Sequence, residues 1–259
     1  MNTLKILMVY ANSMMDNLIP VGVSSLMGAL KSSGLPIELE LFDTTFYRTE
    51  DRPADDDRAE NLQVQPFSYE DVGLRLKDED VRVDFRKHVL RFKPDILMLS
   101  VVESTFAQGI SLLHAVRDIR QYVVAGGVFA VMAPEIVISQ DSIDAICIGE
   151  GEVAAVEFCR RFLAGEDFTQ ITGMWFKKNG AIIKNPLGPL VDINTMPFPD
   201  LSLFPKERFY KPMQGRIFRM MPIEFSRGCP YRCTYCANHA WEALYKDIGR
   251  WYRWKTMDR

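Results

Sequence analysis

Five nearly continuous apolar runs, at residues 4–11, 37–42, 96–102, 122–125 and 143–148, alternate with stretches of helical spacing at 21–31, 81–92, 106–120, 133–139 and 152–163. Strands that are apolar at every position are covered on both faces, as in a parallel sheet. Strand–helix alternation repeated in this way predicts an α/β fold with a doubly wound parallel sheet. Ligands of such sheets lie beyond the carboxyl ends of the strands. That directs attention to Ser100 after the third strand, Gly126 and Gly127 after the fourth, and Gly149, Glu150, Gly151 and Glu152 after the fifth. Glycines at these places let a ligand approach the backbone. Glu150 and Glu152 would repel a phosphate but accept hydrogen bonds from neutral amides. No Gly-x-Gly-x-x-Gly follows the first strand, so a carboxamide-fringed ligand suits the loops better than a dinucleotide.

Outside this pattern the texture changes. A polar stretch from about residue 43 to 80, with the acidic run Asp55-Asp56-Asp57, is longer than ordinary loops; it reads as a solvated insertion, with a lid over a ligand as the sharper alternative. Asn179-Gly180 between two apolar runs is a hairpin signal. A Pro-rich connector follows, and the apolar run 217–225 then predicts a strand entering a cysteine cluster. Charge divides the same way. Residues 205–259 carry 12 Lys/Arg against 5 Asp/Glu, a net +7, whereas the remainder, 19 against 29, is net −10. Such asymmetry points to two modules. With 47% hydrophobic and 25% charged residues, the chain excludes wholesale disorder and collagen-like repeats. No apolar run approaches a membrane span and no secretory leader is visible, so the expected location is cytoplasmic.

Of five cysteines, Cys147 and Cys159 stand alone and read as core and inert helix positions, whereas Cys229, Cys233 and Cys236 cluster. An odd count with tight clustering favours metal over disulfides. Three thiolates spaced by three and two residues suit three irons of a 4Fe–4S cube, leaving one iron open. A zinc site adding His239 is the competing reading. His114, within a helical stretch, reads as a packing residue, and Ser104 or Thr105 as an N-cap.

Ser226-Arg227-Gly228 followed by Cys-x3-Cys-x-Tyr-Cys resembles the signature of radical S-adenosylmethionine (SAM) enzymes, with Tyr235 as the aromatic residue before the last cysteine. The resemblance implies that SAM chelates the open iron and is reductively cleaved to a 5′-deoxyadenosyl radical. It also implies a flavodoxin- or ferredoxin-type electron donor and a small-molecule substrate. The preceding segment resembles the cobalamin-binding domain found ahead of such barrels. Pro20-Val21-Gly22, Ser100, Gly126-Gly127 and Gly149-Glu150-Gly151-Glu152 fall at that family's landmarks, as do the hairpin and Pro-rich passage. The expected fold is therefore a Rossmann-like (flavodoxin-like) sheet over residues 1–165 and a hairpin and Pro-rich linker over 166–215. The first strand–loop–helix of a radical SAM barrel then occupies 216–259. Expected cofactors are cobalamin, SAM and a 4Fe–4S cluster, held by Pro20, Gly22, Ser100, Gly126, Gly127, Gly149, Glu150, Gly151 and Tyr235, with Cys229, Cys233 and Cys236 as metal ligands.

Two departures from the family matter. Asp16-Asn17-Leu18-Ile19-Pro20-Val21-Gly22 lacks the Asp-x-His-x-x-Gly of histidine-ligating cobalamin proteins, which implies no histidine on the lower face. Only 23 residues follow Cys236, which implies a piece of a longer enzyme that would be inactive as it stands. The function expected of the full-length enzyme is radical functionalisation of an unactivated carbon, plausibly methyl transfer, with rearrangement or cyclisation as a variant. A cobalamin carrier or sensor is an alternative. A nucleic-acid binder using Tyr245, Arg250, Trp251, Tyr252, Arg253, Trp254 and Lys255 is a weaker one, so neither a nucleic-acid nor a membrane partner is expected.

Overall fold

The structure, a computed structural model, describes residues 3–16, 18–49, 54–65 and 67–256; Asn17 and the side chain of Asp55 lie outside the described residues. In chain order the elements are β1 (Leu4–Tyr10), α1 (Val21–Ser32), β2 (Ile37–Asp43), α2 (Ala54–Glu60), α3 (Val81–Phe92), β3 (Ile96–Ser100), α4 (Glu103–His114), β4 (Tyr122–Gly126), α5 (Val128–Met132), α6 (Pro134–Ser139), β5 (Ala145–Cys147), α7 (Glu152–Ala164), β6 (Met174–Lys178), β7 (Ala181–Lys184), β8 (Tyr210–Met213), β9 (Arg216–Arg219), β10 (Ser226–Arg227), α8 (Asn238–Leu244) and β11 (Arg253–Trp254).

Among the described residues, seven strands form one sheet in the order β2-β1-β3-β4-β5-β6-β7. The first five are parallel; β6 and β7 are antiparallel additions. Alternate residues of each buried strand serve opposite faces. Leu4, Ile6 and Met8 of β1 with Ile96 and Met98 of β3 pack under α1 and α7. Leu7, Val9, Leu97 and Leu99 face the layer of α3 to α6. This is why β1, β3, β4 and β5 read as nearly continuous apolar runs, whereas β2, at the sheet edge, alternates Glu38 and Glu40 with apolar residues. The Asn179-Gly180 hairpin extends the main sheet, with Cys147 opposite Met174. No helix among the described residues is long and apolar enough to cross a membrane.

Three local expectations need correction. The run 217–225 is not one strand. Its first part pairs with β8, and that pairing stops at Arg219. Beyond it, backbone bonds reach only from Met220 to Phe209 and from Lys255 to Phe225, leaving Ile223 and Phe225 at 75% and 70% exposure; a strand without neighbours along its length is not held. His114 is exposed at the end of α4, because the buried stripe of that helix runs through Thr105, Gly109, Leu112 and Leu113. Val102 takes the N-cap position, and Thr105 reaches back to accept a hydrogen bond from its N–H at 3.3 Å. The long insertion is pinched at its base by a bridge between Tyr47 and Lys77, with Tyr47 buried.

Arg208, fully buried, ties the linker to the loop after β1. Its guanidinium donates to the carbonyls of Asp16 and Leu18 at 2.5 and 2.6 Å and to Thr45 Oγ1 at 2.7 Å, and it pairs with Asp43 at 3.2 Å. Removing one partner of a buried ion pair leaves the other uncompensated. Arg208→Met is expected to lower unfolding stability by about 3 kcal/mol, read as a shift of the urea midpoint at unchanged slope.

Candidate functional site

The sheet winds left from β1 to β2 and right from β1 through β3, so the β1/β3 boundary is a topological switch point, where ligands of such sheets bind. A cavity of about 420 Å³ opens there. Pro20 and Gly22 line its mouth, with Ser100 after β3, Gly126 and Gly127 after β4, and Gly149, Glu150 and Gly151 after β5. Eight residues singled out from the sequence thus share one wall. The cavity also runs inward between the sheet and helices α1 and α7, along Met8, Met98, Val124, Ala155, Phe158 and Met174.

The glycines have different reasons to be glycine. Gly127 and Gly149 have φ of +95° and +94°. A Cβ on Gly127 would meet the Val101 carbonyl oxygen at 2.5 Å, and one on Gly149 would overlap the Tyr245 hydroxyl. Both are demanded by the protein itself. At Gly22 a Cβ would meet nothing within 4 Å, and at Gly126 only Cys147 Cβ at 3.9 Å. These two leave space that a ligand, not the chain, can fill.

The far wall comes from the segment that carries the cysteines: Glu224, Arg227, Trp241 and Trp251 all line the cavity. Trp251 is sandwiched between Trp241 and Tyr245, with ring centroids 5.5 and 5.2 Å apart and planes within 12°. Tyr245 is fully buried, and its hydroxyl accepts from the Glu150 N–H at 2.9 Å; burial pushes its pKa up to about 12. The carboxylates expected to face a ligand's amides are otherwise engaged. Glu150 accepts from the Val191 N–H at 2.7 Å and meets Arg253 and Arg227, and Glu152 meets Arg227 at 2.5 Å. Arg227 also makes a two-point contact with Glu224 at 2.9 and 3.1 Å. Burial opposes the charge on Arg227, but these carboxylates outweigh it and raise the pKa.

These contacts account for three of the basic and aromatic residues behind the nucleic-acid reading: Tyr245 and Trp251 are in the stack and Arg253 is in the ion pairs. Cys147 extends another expectation. It packs against the core as expected but also lines the cavity, and desolvation together with the Glu152 charge pushes its thiol up to about 12. Cys159 is buried within α7 as expected.

Cys229 and Cys233 are half-buried and Cys236 is exposed; all three are free thiols. Among the described residues no three His, Cys, Asp or Glu side chains converge on a single ion. Asn238 braces the loop: its side-chain amide donates to the Cys229 carbonyl at 3.1 Å, its backbone N–H to Cys236 Sγ at 3.5 Å, and its side-chain Oδ1 accepts from the Trp251 indole at 2.8 Å. Tyr235 is 90% exposed and does not line the cavity. No histidine lines it either: His88 pairs with Glu40 at 2.6 Å, and His239 borders a separate groove with Cys229. The insertion also lies elsewhere. Arg58, Gln63, Val64, Gln65, Phe67 and Tyr69 of it line a second cavity with the β8–β9 hairpin, and none of its described residues lines the first. Sequence reasoning missed Arg208, Trp241 and the pairing role of Arg227; only Arg227 stood inside a motif.

No protein-family model matches the chain. Its fold superimposes on OxsB, described as a cobalamin-dependent SAM radical enzyme with aqua-cobalamin and SAM bound, with a TM-score of 0.63 and 19% identity over 90% of this chain and 28% of that one. TsrM of Kitasatospora setae, a radical SAM methyltransferase with cobalamin and a [4Fe-4S] cluster bound, matches with a TM-score of 0.61 and 17% identity, over 98% and 44%. In fold, the chain is similar to cobalamin-dependent radical SAM enzymes. Curated relatives agree in kind. An uncharacterized methyltransferase of Pyrococcus horikoshii is 26% identical over 68% of this chain and 37% of its own length. Cytidylyl-2-hydroxyethylphosphonate methyltransferase of Streptomyces wedmorensis is 22% identical over 86% and 44%. An anaerobic magnesium-protoporphyrin IX monomethyl ester cyclase of Synechocystis is 27% identical over 64% and 32%. The chain thus spans less than half the length of these relatives.

Thiol accessibility gives a direct check on this geometry. At pH 8 a thiol titrating near 12 is thiolate in roughly one molecule in ten thousand. A chromogenic disulfide reagent is expected to modify Cys236 first and to leave Cys147 and Cys159 unmodified until denaturant is added, with peptide mass mapping identifying the sites.

Proposed function

We propose that the chain is the cobalamin-binding and cluster-bearing part of a radical SAM enzyme that functionalises an unactivated carbon of a small molecule, with methyl transfer as the favoured outcome. The observation that carries this reading is the single cavity that gathers Pro20, Gly22, Ser100, Gly126, Gly127, Gly149, Glu150 and Gly151 and is walled by the segment bearing Cys229, Cys233 and Cys236. The two open glycines and the apolar inner slot suit a corrin with a flat aromatic appendage, since a broad apolar face needs close, side-chain-free backbone and an apolar recess. With no histidine among the described lining residues, Pro20, Val21 and Gly22 would be among the residues that hold the corrinoid.

Residues 1–165 would bind the corrinoid, 166–215 would hold that domain to the next, and 216–259 would open the radical SAM domain. Cys229, Cys233 and Cys236 would bind three irons, soft thiolates on one loop being the donor set for a polynuclear iron–sulfur group. Tyr235, exposed beside them, would face SAM. When bound, the cluster supplies the electron that cleaves SAM, drawn from a flavodoxin- or ferredoxin-type donor, and cobalamin supplies a methyl carrier. The chain's own part is positional. Gly126 and Gly22 admit the ligand, the Trp241–Trp251–Tyr245 stack keeps water from one side of it, and Asn238 holds the cysteine loop against that stack.

Gly126→Trp tests the placement, because Gly126 lines the cavity and a Cβ there would meet only Cys147 Cβ, at 3.9 Å. Anaerobically purified wild-type protein is expected to retain hydroxocobalamin through gel filtration, seen in its visible spectrum. Gly126→Trp is expected to bind at least about 100-fold more weakly while keeping the wild-type circular dichroism, on the scale of losing a few kcal/mol of contact. Equal retention by both proteins would remove the cavity from the reading.

A further inference from the structure

We infer that Arg227 and Arg253 are positioning residues that couple occupancy of the cavity to the ordering of the cysteine loop; this deepens the proposed function and rests on it. The two arginines face each other across the β10–β11 ribbon, which consists of two residue pairs, Ser226 with Trp254 and Arg227 with Arg253. So short a ribbon is not stable by itself, and like charges directly opposite each other oppose pairing. What offsets both is the cavity rim. Glu150 reaches into the ribbon and meets both guanidiniums, while Glu152 takes Arg227 at 2.5 Å. Arg253 donates also to the Val191 carbonyl at 2.6 Å. All four side chains are largely withdrawn from water, at 6% exposure for each glutamate, 13% for Arg227 and 17% for Arg253. These contacts are therefore little screened.

The consequence is geometric. Arg227 is followed at once by Gly228 and Cys229, and Gly228, at φ +75°, packs on the Trp251 carbonyl with no room for a Cβ. The position of the first cysteine is thus set by carboxylates at the start of α7. Those carboxylates belong to Gly149–Glu152, the same turn that lines the cavity. A ligand pressing on that turn, or on Trp251, biases the ribbon; a group ordering the cysteines biases the turn. Coupling of this kind is reciprocal, so each site binds more tightly when the other is filled.

The experiment uses the full chain, prepared anaerobically with and without a reconstituted 4Fe–4S cluster, titrated with hydroxocobalamin and followed by absorbance. Wild type is expected to bind about 10-fold more tightly when the cluster is present, within the usual range of coupling between sites. Arg227→Gln/Glu152→Gln, which removes both members of one ion pair, is expected to bring that ratio to about 1. Should that protein lose the wild-type circular dichroism, the isosteric Glu150→Gln tests the same coupling through the other carboxylate, the one that meets Arg253 and Arg227. Hydrogen exchange provides a readout independent of affinity: hydroxocobalamin protects residues 226–256 in wild type and leaves them unprotected in the variant. An unchanged ratio and unchanged protection in the variants overturn the coupling, as does a wild-type ratio of 1 with measurable binding. Absence of any binding to wild type overturns the corrinoid reading together with it.

Discussion

Two parallel strands that lead away from a shared boundary in opposite directions cannot both be covered by the same connection, and everything else here follows from that constraint. Between β1 and β3 the chain must leave their carboxyl ends uncovered, so a crevice forms without any residue being spent to create it. The glycines after β4 and β5 then keep the crevice open, and α1 and α7 extend it downward beside the apolar face of the sheet. The result is a site whose walls are mostly apolar, aliphatic on the sheet side and aromatic at Trp241 and Trp251, with Glu150, Glu152, Glu224 and Arg227 among its lining. Such a site suits a large, mostly flat ligand bound through area more than through charge.

Charge enters at the seams between segments. Arg208 fastens the linker to the loop after β1, and the Glu150, Glu152, Arg227 and Arg253 set fastens the cysteine-bearing segment to the rim. Both are buried, where a lost partner costs far more than at the surface, so each seam is fixed in register as well as held. The aromatic stack of Trp241, Trp251 and Tyr245 adds a second, apolar seam beside the charged one. Its inner residue, Tyr245, binds the Glu150 N–H, so the two seams meet at one turn.

This arrangement places the two chemistries of the proposed enzyme side by side. The cysteine loop is exposed at Cys236 and braced at Cys229, which leaves thiols accessible while their carrier is anchored. The cavity is deep on the sheet side and bounded by indole rings on the other.

The amino-acid sequence determined the five parallel strands, the main helices between them and the strand-end residues, because each is written in a local period: mostly apolar for a buried strand, a stripe for a helix, glycine where the backbone must be bare. It determined the cysteine spacing for the same reason. It left the end of the 217–225 run and the surroundings of Cys147 undecided, since a strand exists only where a neighbour supplies hydrogen bonds and a strand-end side chain takes its character from what lies across the crevice. Only the tertiary structure decided that Glu150 serves Arg253 from 103 positions away, that Tyr245 sits on Gly149, and that Arg208 reaches back to Asp16 across 192 positions. Contacts at such separations leave no spacing to read. They are made when packing brings two distant segments together and burial then requires each charge to find its partner.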